Sequence, residues 1–313
     1  MKILITGVAG FIGFSLAQNL LKTNKKLDVF GIDNLDNYYS KKIKKLRIKE
    51  LKNFRKFRFI NLDITRRAKV FKFFKNKKFK YIIHFAAQVG SSFSQIQPKK
   101  YLDTNIFGFI NLADACVIRN PNVFAYASSS SVYEEYNNLK PLNVYSATKK
   151  INEVIAKFYS NYHKIKFIGL RYSSVYGEWG RPDTFLFKLF RAFHKKFLFL
   201  DNFGNNKKNL IYIDDAIILT KKIIFNRNFK ERNLVFDICA KKTIIIKNII
   251  NFFQKKIGNV KVRNAKTIEY KSRYAHKKKN YIKLFSNYNN FTNYKNGILK
   301  TYDWYKKNKI YNL

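Results

Sequence analysis

The stretch Lys2–Asn24, KILITGVAGFIGFSLAQNLLKTN, decides the fold. An apolar run ends in Thr6, three glycines follow at Gly7, Gly10 and Gly13, and then Leu16, Leu20 and Leu21 recur at helical spacing. A strand that enters a helix through a G-x-x-G-x-x-G turn leaves backbone N–H groups clear of any Cβ at the positive end of a helix dipole, which suits a pyrophosphate. A second apolar run, VFGID, ends in Asp33 some twenty residues beyond Gly13. A carboxylate at that place accepts hydrogen bonds from both hydroxyls of an adenosine ribose and repels a phosphate on that ribose, so NAD is expected over NADP.

Working outward, strand-like runs return at 57–63 (FRFINLD), 81–87 (YIIHFAA), 123–131 (VFAYASSSS) and 167–172 (FIGLRY), with helix-like segments between them. Strands alternating with helices predict an α/β protein with a doubly wound parallel sheet, a Rossmann fold. Past residue 173 the pattern loosens. The loop 176–183 (YGEWGRPD) leads to a helix-like FLFKLFRAFHKKF, and YIDDAIILTKKII (212–224) reads as a strand end followed by a helix. There Asp214 and Asp215 are expected to cap the helix, not to bind metal. The expected organisation is a dinucleotide-binding domain over 1–172 and, over 173–313, mainly a substrate-binding cap partly interleaved with the sheet. From Lys255 onward the chain is polar, rich in Tyr, Asn and Lys, and gives no clear assignment.

The 313 residues are 46% hydrophobic, enough for a substantial core. No stretch reaches the roughly eighteen apolar residues of a membrane span, so a cytoplasmic protein is expected. Cys116 and Cys239 sit in apolar runs outside any metal-ligand spacing and read as small core residues; no metal is expected. The formal charge of +44, from 63 Lys+Arg against 19 Asp+Glu, invites a nucleic-acid reading. The lysines are spread from Lys2 to Lys309 with no basic arm or tail, a distribution that favours weak, salt-sensitive contact over specific nucleic-acid binding.

NVYSATKK (143–150) places Tyr145 and Lys149 on one face of a helix beginning near Val144. A phenol titrates near pH ~10, and an adjacent ammonium favours its phenolate, so Tyr145 can serve as a general base. In so lysine-rich a chain the pair carries weight only with its company, the hydroxyls of Ser128 to Ser131 at a strand end sixteen residues earlier.

TGVAGFIG, Asp33, LDI (62–64), HFAA (84–87), TNIFG (104–108), YASSSSVY, the YxxxK pair and LRYSSVYG together resemble the extended short-chain dehydrogenase/reductase family, in its order, through most of the first 180 residues. DNLDNYYS, FAAQVG, YSATKK, VYGEWGRPD and YIDD are similar to its UDP-glucuronate 4-epimerase branch. The resemblance implies NAD as cofactor, a UDP-sugar substrate and a homodimer paired through helices, one of them carrying Tyr145. It places Gly7, Gly10, Phe11, Ile12 and Gly13 around the pyrophosphate, Asp33 and Asn34 at the adenosine ribose, and Asp63 and Ile64 at the adenine. Phe85, Ala86, Ala87, Gln88 and Asn105 would lie alongside the cofactor. Ser129, Tyr145 and Lys149 would be the catalytic set, with Tyr145 and Lys149 also touching the cofactor, and Ser129, Ser130, Ser131, Ser174 and Tyr145 would meet the sugar. Arg181 is expected at or near the UDP pyrophosphate, since a planar two-pronged donor suits phosphate.

The implied reaction is inversion at C4 of the sugar through a transient 4-keto state. Family dehydratases carry an Asp-Glu pair just after the catalytic Thr, and decarboxylases a Glu before Val-Tyr; Ser130 and Ser131 stand here, and hydroxyls do not replace carboxylates as acid and base. The related epimerases usually have Arg at Ser92, Arg-Asp at Lys208–Asn209, Asp at His276 and Gly at Glu134. These departures leave UDP-glucose and UDP-N-acetylglucosamine open as substrates, beside a UDP-glucuronate decarboxylase and a non-catalytic polyanion-binding protein.

Overall fold

The computed structural model describes residues 1–133, 143–195, 197–264, 288 and 290–309. Glu134 and His276 lie outside them. Lys2–Thr6 forms β1, Phe11–Thr23 α1, Asp28–Asp33 β2, Lys41–Lys52 α2, Phe57–Asn61 β3, Arg67–Phe74 α3 and Tyr81–His84 β4. Short helices α4 (Ser91–Ile96) and α5 (Pro98–Tyr101) run through a π-helical segment, Leu102–Phe107, into α6 (Gly108–Arg119). Then come β5 (Val123–Ser129), α7 (Val144–His163), β6 (Phe167–Tyr172), β7 (Ser174–Tyr176), α8 (Phe185–Lys195), β8 (Phe197–Leu200), β9 (Lys207–Lys208), β10 (Leu210–Tyr212), α9 (Ile213–Ile224), β11 (Asn233–Ile238), β12 (Ile244–Ile245), α10 (Ile246–Ile257), β13 (Lys261–Asn264) and α11 (Tyr294–Lys307).

The seven-stranded sheet has the order β11-β6-β5-β4-β1-β2-β3 and is parallel throughout. Parallel strands covered on both faces read as near-continuous apolar runs, and all four residues of β4 and all six of β6 are buried. The order reverses between β1 and β4, the switch point beside which ligands bind in open α/β sheets. Two cores flank the sheet. One holds Ile3, Ile5, Phe14, Leu20, Ile168 and Leu170 and continues into Phe187, Phe190, Ile217 and Phe253; the other holds Leu4, Ile32, Phe79, Phe109, Phe124 and Tyr126. Cys116 and Cys239 are both buried.

The seventh strand, β11, comes from beyond residue 173 and pairs in parallel with β6, from Asn233 on Phe167 to Ile238 on Tyr172. Helix α9 packs against α1, so the later part of the chain closes one face of the sheet. Asp214 and Asp215 fall in the first turn of α9, yet neither side chain caps it. Asp215 is buried and instead accepts hydrogen bonds from Tyr288 Oη (3.0 Å) and Thr292 N (2.9 Å), which draw the C-terminal segment onto the body. A capping bond would have turned that carboxylate toward its own helix; the tertiary donors won. No metal-ligating cluster occurs among the described residues, and no helix there is long and apolar enough to cross a membrane.

Candidate active site

The glycine turn is a backbone cradle. Gly7 has φ +68, and a Cβ there would lie 2.5 Å from Ala86 N; a Cβ on Gly13 would lie 2.3 Å from Gly7 O. Gly10 N donates to Gly7 O (2.9 Å), and α1 starts at Phe11 without a side-chain cap. The first amides of α1 thus face the carboxyl edge of the sheet with no intrahelical acceptor, the arrangement that receives an anion. Phe11 is buried and Ile12 half-buried beside it.

Asp33 ends β2 and is clamped from two sides: Ala9 N donates to Oδ2 (3.0 Å) and Leu35 N to Oδ1 (2.8 Å). Burial pushes its carboxyl up, against those two bonds and the pull of Lys44 and Arg47. Each carboxylate oxygen keeps a further lone pair for a hydroxyl donor. Asn34 Nδ2 donates to Asp63 Oδ2 (3.1 Å) and Thr65 N to Asp63 Oδ1 (2.9 Å). Burial works against the charged form of Asp63, but these bonds prevail and hold it below the usual carboxylate range. Asn34 and Asp63, with Asp36, Lys41, Arg66 and Lys69, line an open cleft of about 530 Å3 at this end of the turn. Ile64 is buried one residue away and its carbonyl is held by Asn111 Nδ2 at 2.9 Å. Glycine cradle, buried carboxylate and open cleft follow one another along the strand ends, and the residues present fit a dinucleotide.

Across the switch point, Ala86 N donates to Thr6 Oγ1 (3.2 Å), and Phe85 packs edge-on against Tyr172 at 6.0 Å. Ala87 is half-buried and Gln88 buried. Among the described residues Asn105 makes three hydrogen bonds: Gln88 N donates to its Oδ1 (2.8 Å), while its Nδ2 donates to Gln88 O (3.1 Å) and Thr148 Oγ1 (2.9 Å). Asn105 therefore bolts the end of β4 to the helix that carries Tyr145.

Helix α7 starts where Asn143 Oδ1 accepts Ser146 N (2.9 Å), a side-chain cap that sets the first turn and with it Tyr145. Lys149, one turn on and 3% exposed, donates from Nζ to Ala127 O (2.9 Å) and lies 5.8 Å from the Tyr145 ring centroid. Ala127 is two residues before Ser129, so the ammonium spans from the helix to the strand end that bears the serines. Burial pulls the Lys149 ammonium down to about 8. Ser129 Oγ accepts Ser131 N (3.1 Å) and Ser131 Oγ (2.9 Å), which curls the chain after β5 and gathers the hydroxyls; Ser130 is buried, and Ser174 is exposed at the start of β7. Beneath them Ser128 Oγ donates to Glu153 Oε1 (2.7 Å), and Arg171 grips both Glu153 oxygens (2.7 Å each), fixing β5, β6 and α7 together.

Arg181 pairs with Asp183 through Nε (3.0 Å) and Nη2 (2.7 Å), and Tyr38 Oη donates to the same carboxylate at 3.3 Å. Tyr38 and Tyr101 both feel the charges of Arg181 and of Tyr145, after a larger effect of burial, which places this loop beside the phenol of Tyr145. Of the positions that depart from the pattern the resemblance implies, Ser92 is exposed on α4. Asn209 is buried and makes a two-way clamp on Ala240: its Nδ2 donates to Ala240 O and Ala240 N donates to its Oδ1, both at 2.8 Å.

Sequence reasoning missed Arg47. It lies on the buried stripe of α2 with Ile43, Ile48 and Leu51, inside a run of lysines that reads as a solvated face. A cation in the middle of an apolar stripe was the available signal.

The profile of the NAD dependent epimerase/dehydratase family matches residues 3–239. The chain belongs to this family. It is an NAD-dependent enzyme of the epimerase/dehydratase type, and the matched stretch includes the glycine turn. Protein CapI of Staphylococcus aureus is 37% identical over 238 residues, 72% of this chain and 69% of that protein. A UDP-glucuronate 4-epimerase of Thermodesulfobacterium geofontis is 31% identical over 317 residues, 97% of this chain and 96% of its own. The crystal structure of UDP-glucuronic acid 4-epimerase from Bacillus cereus, in complex with UDP-glucuronic acid and NAD, superposes with a TM-score of 0.88 at 29% identity, covering 98% of this chain and 99% of that one.

Proposed function

We propose that this epimerase/dehydratase-family enzyme interconverts UDP-glucuronate and UDP-galacturonate by inversion at C4. The observation that carries the reading is the joining of helix and strand at the site: Lys149, one turn beyond Tyr145, holds the carbonyl of Ala127 two residues before Ser129. One buried ammonium thereby ties the proposed base to the proposed hydroxyl relay. Relatives named for this reaction match nearly the whole chain.

NAD, when bound, supplies a reversible hydride acceptor for the sugar C4. Tyr145 takes the proton of the 4-hydroxyl through Ser129 and returns it when the alcohol re-forms on the other face. Lys149 stabilises the phenolate between those events and holds the cofactor ribose. Ser130, Ser131 and Ser174 offer the sugar neutral hydroxyls, a loose grip that lets the ring turn, and leave no carboxylate in place for a dehydration. Arg181 binds an anionic group of the substrate, exchanging Asp183 for it. Gly7, Gly10, Phe11, Ile12 and Gly13 receive the cofactor pyrophosphate, Asp33, Asn34, Asp63 and Ile64 its adenosine, and Phe85 to Gln88 its other half, with Asn105 setting their position. Residues 173–313 mainly supply the nucleotide-sugar side.

We further propose a homodimer. Ile151, Val154, Phe158 and Tyr162 are 41%, 59%, 56% and 73% exposed and recur at helical spacing along the outer face of α7, and Phe107 and Ile118 are exposed around neighbouring α6. An exposed apolar stripe of this kind suits a second copy of the same helix pair.

The purified protein, given UDP-glucuronate without added NAD, should yield both 4-epimers. Carbon dioxide release would indicate decarboxylation instead, conversion of UDP-glucose or UDP-N-acetylglucosamine alone would reassign the sugar, and no turnover of any of them would sink the reading.

A further inference from the structure

Among the described residues, Arg47 is a buried cation bonded only to neutral oxygens. Its side chain is 0% exposed, and Nε is buried with no hydrogen-bond partner among the described residues. Nη1 donates to Ala9 O (2.7 Å) and Tyr39 Oη (2.8 Å), and Nη2 to Trp179 O (2.5 Å) and Gly180 O (3.3 Å). Asp33 lies near enough to feel the charge of Arg47 but does not bond it, and enclosing a guanidinium without a directly bonded carboxylate is unfavourable, a cost that a methionine of similar length would avoid. What the methionine could not do is join Ala9, between Gly7 and Gly10 of the dinucleotide turn, to the two residues that precede Arg181.

The same two segments meet a second time. The Trp179 ring packs on Phe14 of α1 at 5.0 Å and on Trp304 of α11 at 5.1 Å. Trp179 adopts φ +62, a left-handed conformation that a bulky side chain rarely takes, and Arg47 holds its carbonyl there. The peptide chain at Ala9 also ties to Asp33 through its N–H. A continuous hydrogen-bonded path therefore runs from Asp33 through Ala9 and Arg47 to Trp179 and Gly180, and the next residue is Arg181.

We propose that Arg47 is a positioning residue that couples occupancy of the dinucleotide turn to nucleotide-diphosphate binding at the Arg181 loop. Ordering the turn around the cofactor pyrophosphate orders the Ala9 carbonyl, which fixes the guanidinium fork and hence the backbone that presents Arg181. By reciprocity, a nucleotide diphosphate on the loop tightens the hold on the dinucleotide. The inference rests on the reading of the two segments as the NAD and UDP-sugar sites.

The test is exchange of bound NAD for labelled NAD in the holoenzyme, with and without saturating UDP. UDP should slow exchange by about fivefold or more in the wild type, and by little or nothing in Arg47→Lys, whose single ammonium cannot span both segments. A loss of stability alone would speed exchange with and without UDP alike and leave the ratio intact. Hydrogen exchange on the unaltered holoenzyme gives a second readout free of any variant: UDP should protect the amides of residues 8–13. Equal slowing in Arg47→Lys, or UDP bound with no change in NAD exchange or in those amides, overturns the coupling alone. Absence of UDP binding to the wild type overturns the substrate reading and the coupling with it.

Discussion

Asn105 and Thr148 are joined by a 2.9 Å hydrogen bond from the amide to the hydroxyl, and Thr148 Oγ1 donates onward to Tyr145 O at 2.8 Å. The loop after β4 and the first turn of α7 are thus one unit, although 43 residues separate the pair. Asn105→Ala should cost roughly 2–6 kcal/mol in urea denaturation, because Gln88 N–H and C=O lose their partners at ~1–3 kcal/mol each. Thr148→Val should cost about 1 kcal/mol and lower kcat more than it weakens NAD binding. Equal effects on both would detach the bond from the placement of Tyr145.

Lys149 leads to a paired prediction in pH. With its ammonium lowered to about 8 in the fold and titrating near 10.5 when unfolded, the penalty for burying it is fully present below pH 8. Between pH 8 and 10.5 the unfolded chain holds more protons than the folded one, so stability relative to Lys149→Met rises with pH, by about 3 kcal/mol in all. Turnover should move the other way and fall as pH climbs through about 8, since the neutral amine no longer favours a phenolate. Denaturation midpoints and kcat, each followed from pH 7 to 10.5, check the two slopes.

Asp33→Asn keeps one carbonyl oxygen for the two N–H donors of Ala9 and Leu35. One donor then faces an NH2 group, a loss of about 1–3 kcal/mol. NAD content of the purified variant should fall well below one per chain, as read from absorbance after denaturation. Full retention of NAD would remove Asp33 from the ribose site.

Asn209→Asp introduces the residue that the family resemblance leads one to expect there and should destabilise this chain. A carboxylate accepts Ala240 N–H but opposes Ala240 O, where the amide now donates at 2.8 Å. The expected cost is about 2 kcal/mol at neutral pH, shrinking in acid once the carboxyl can donate its own proton. A pH-independent cost would point to shape instead of charge.

Phe158→Asp should convert a dimer to monomers in light scattering while leaving the spectrum of the folded protein unchanged. A wild type that is already monomeric at micromolar concentration would dispose of the proposed helix pairing.

Much of this was legible in the chain itself, where chemistry is local. The turn from Gly7 to Gly13 was readable because three positions without a Cβ, placed between a strand and a helix, admit few other structures. The strands β4 to β6 were readable because a sheet buried on both faces demands unbroken apolar runs, and the Tyr145–Lys149 pair because helical spacing alone puts the two on one face. Tertiary structure decided what depends on distant donors and acceptors. β11 entered the sheet through pairing with a strand more than sixty residues earlier, and Asp215 turned from its own helix to Tyr288 and Thr292. Arg47, in a helix that looks solvated, became the buried tie between Ala9 and Trp179 because only the folded chain brings those carbonyls together. Backbone geometry and hydropathy act over a few residues and are written in sequence order; the partner that satisfies a buried charge is chosen only once the chain has closed around it.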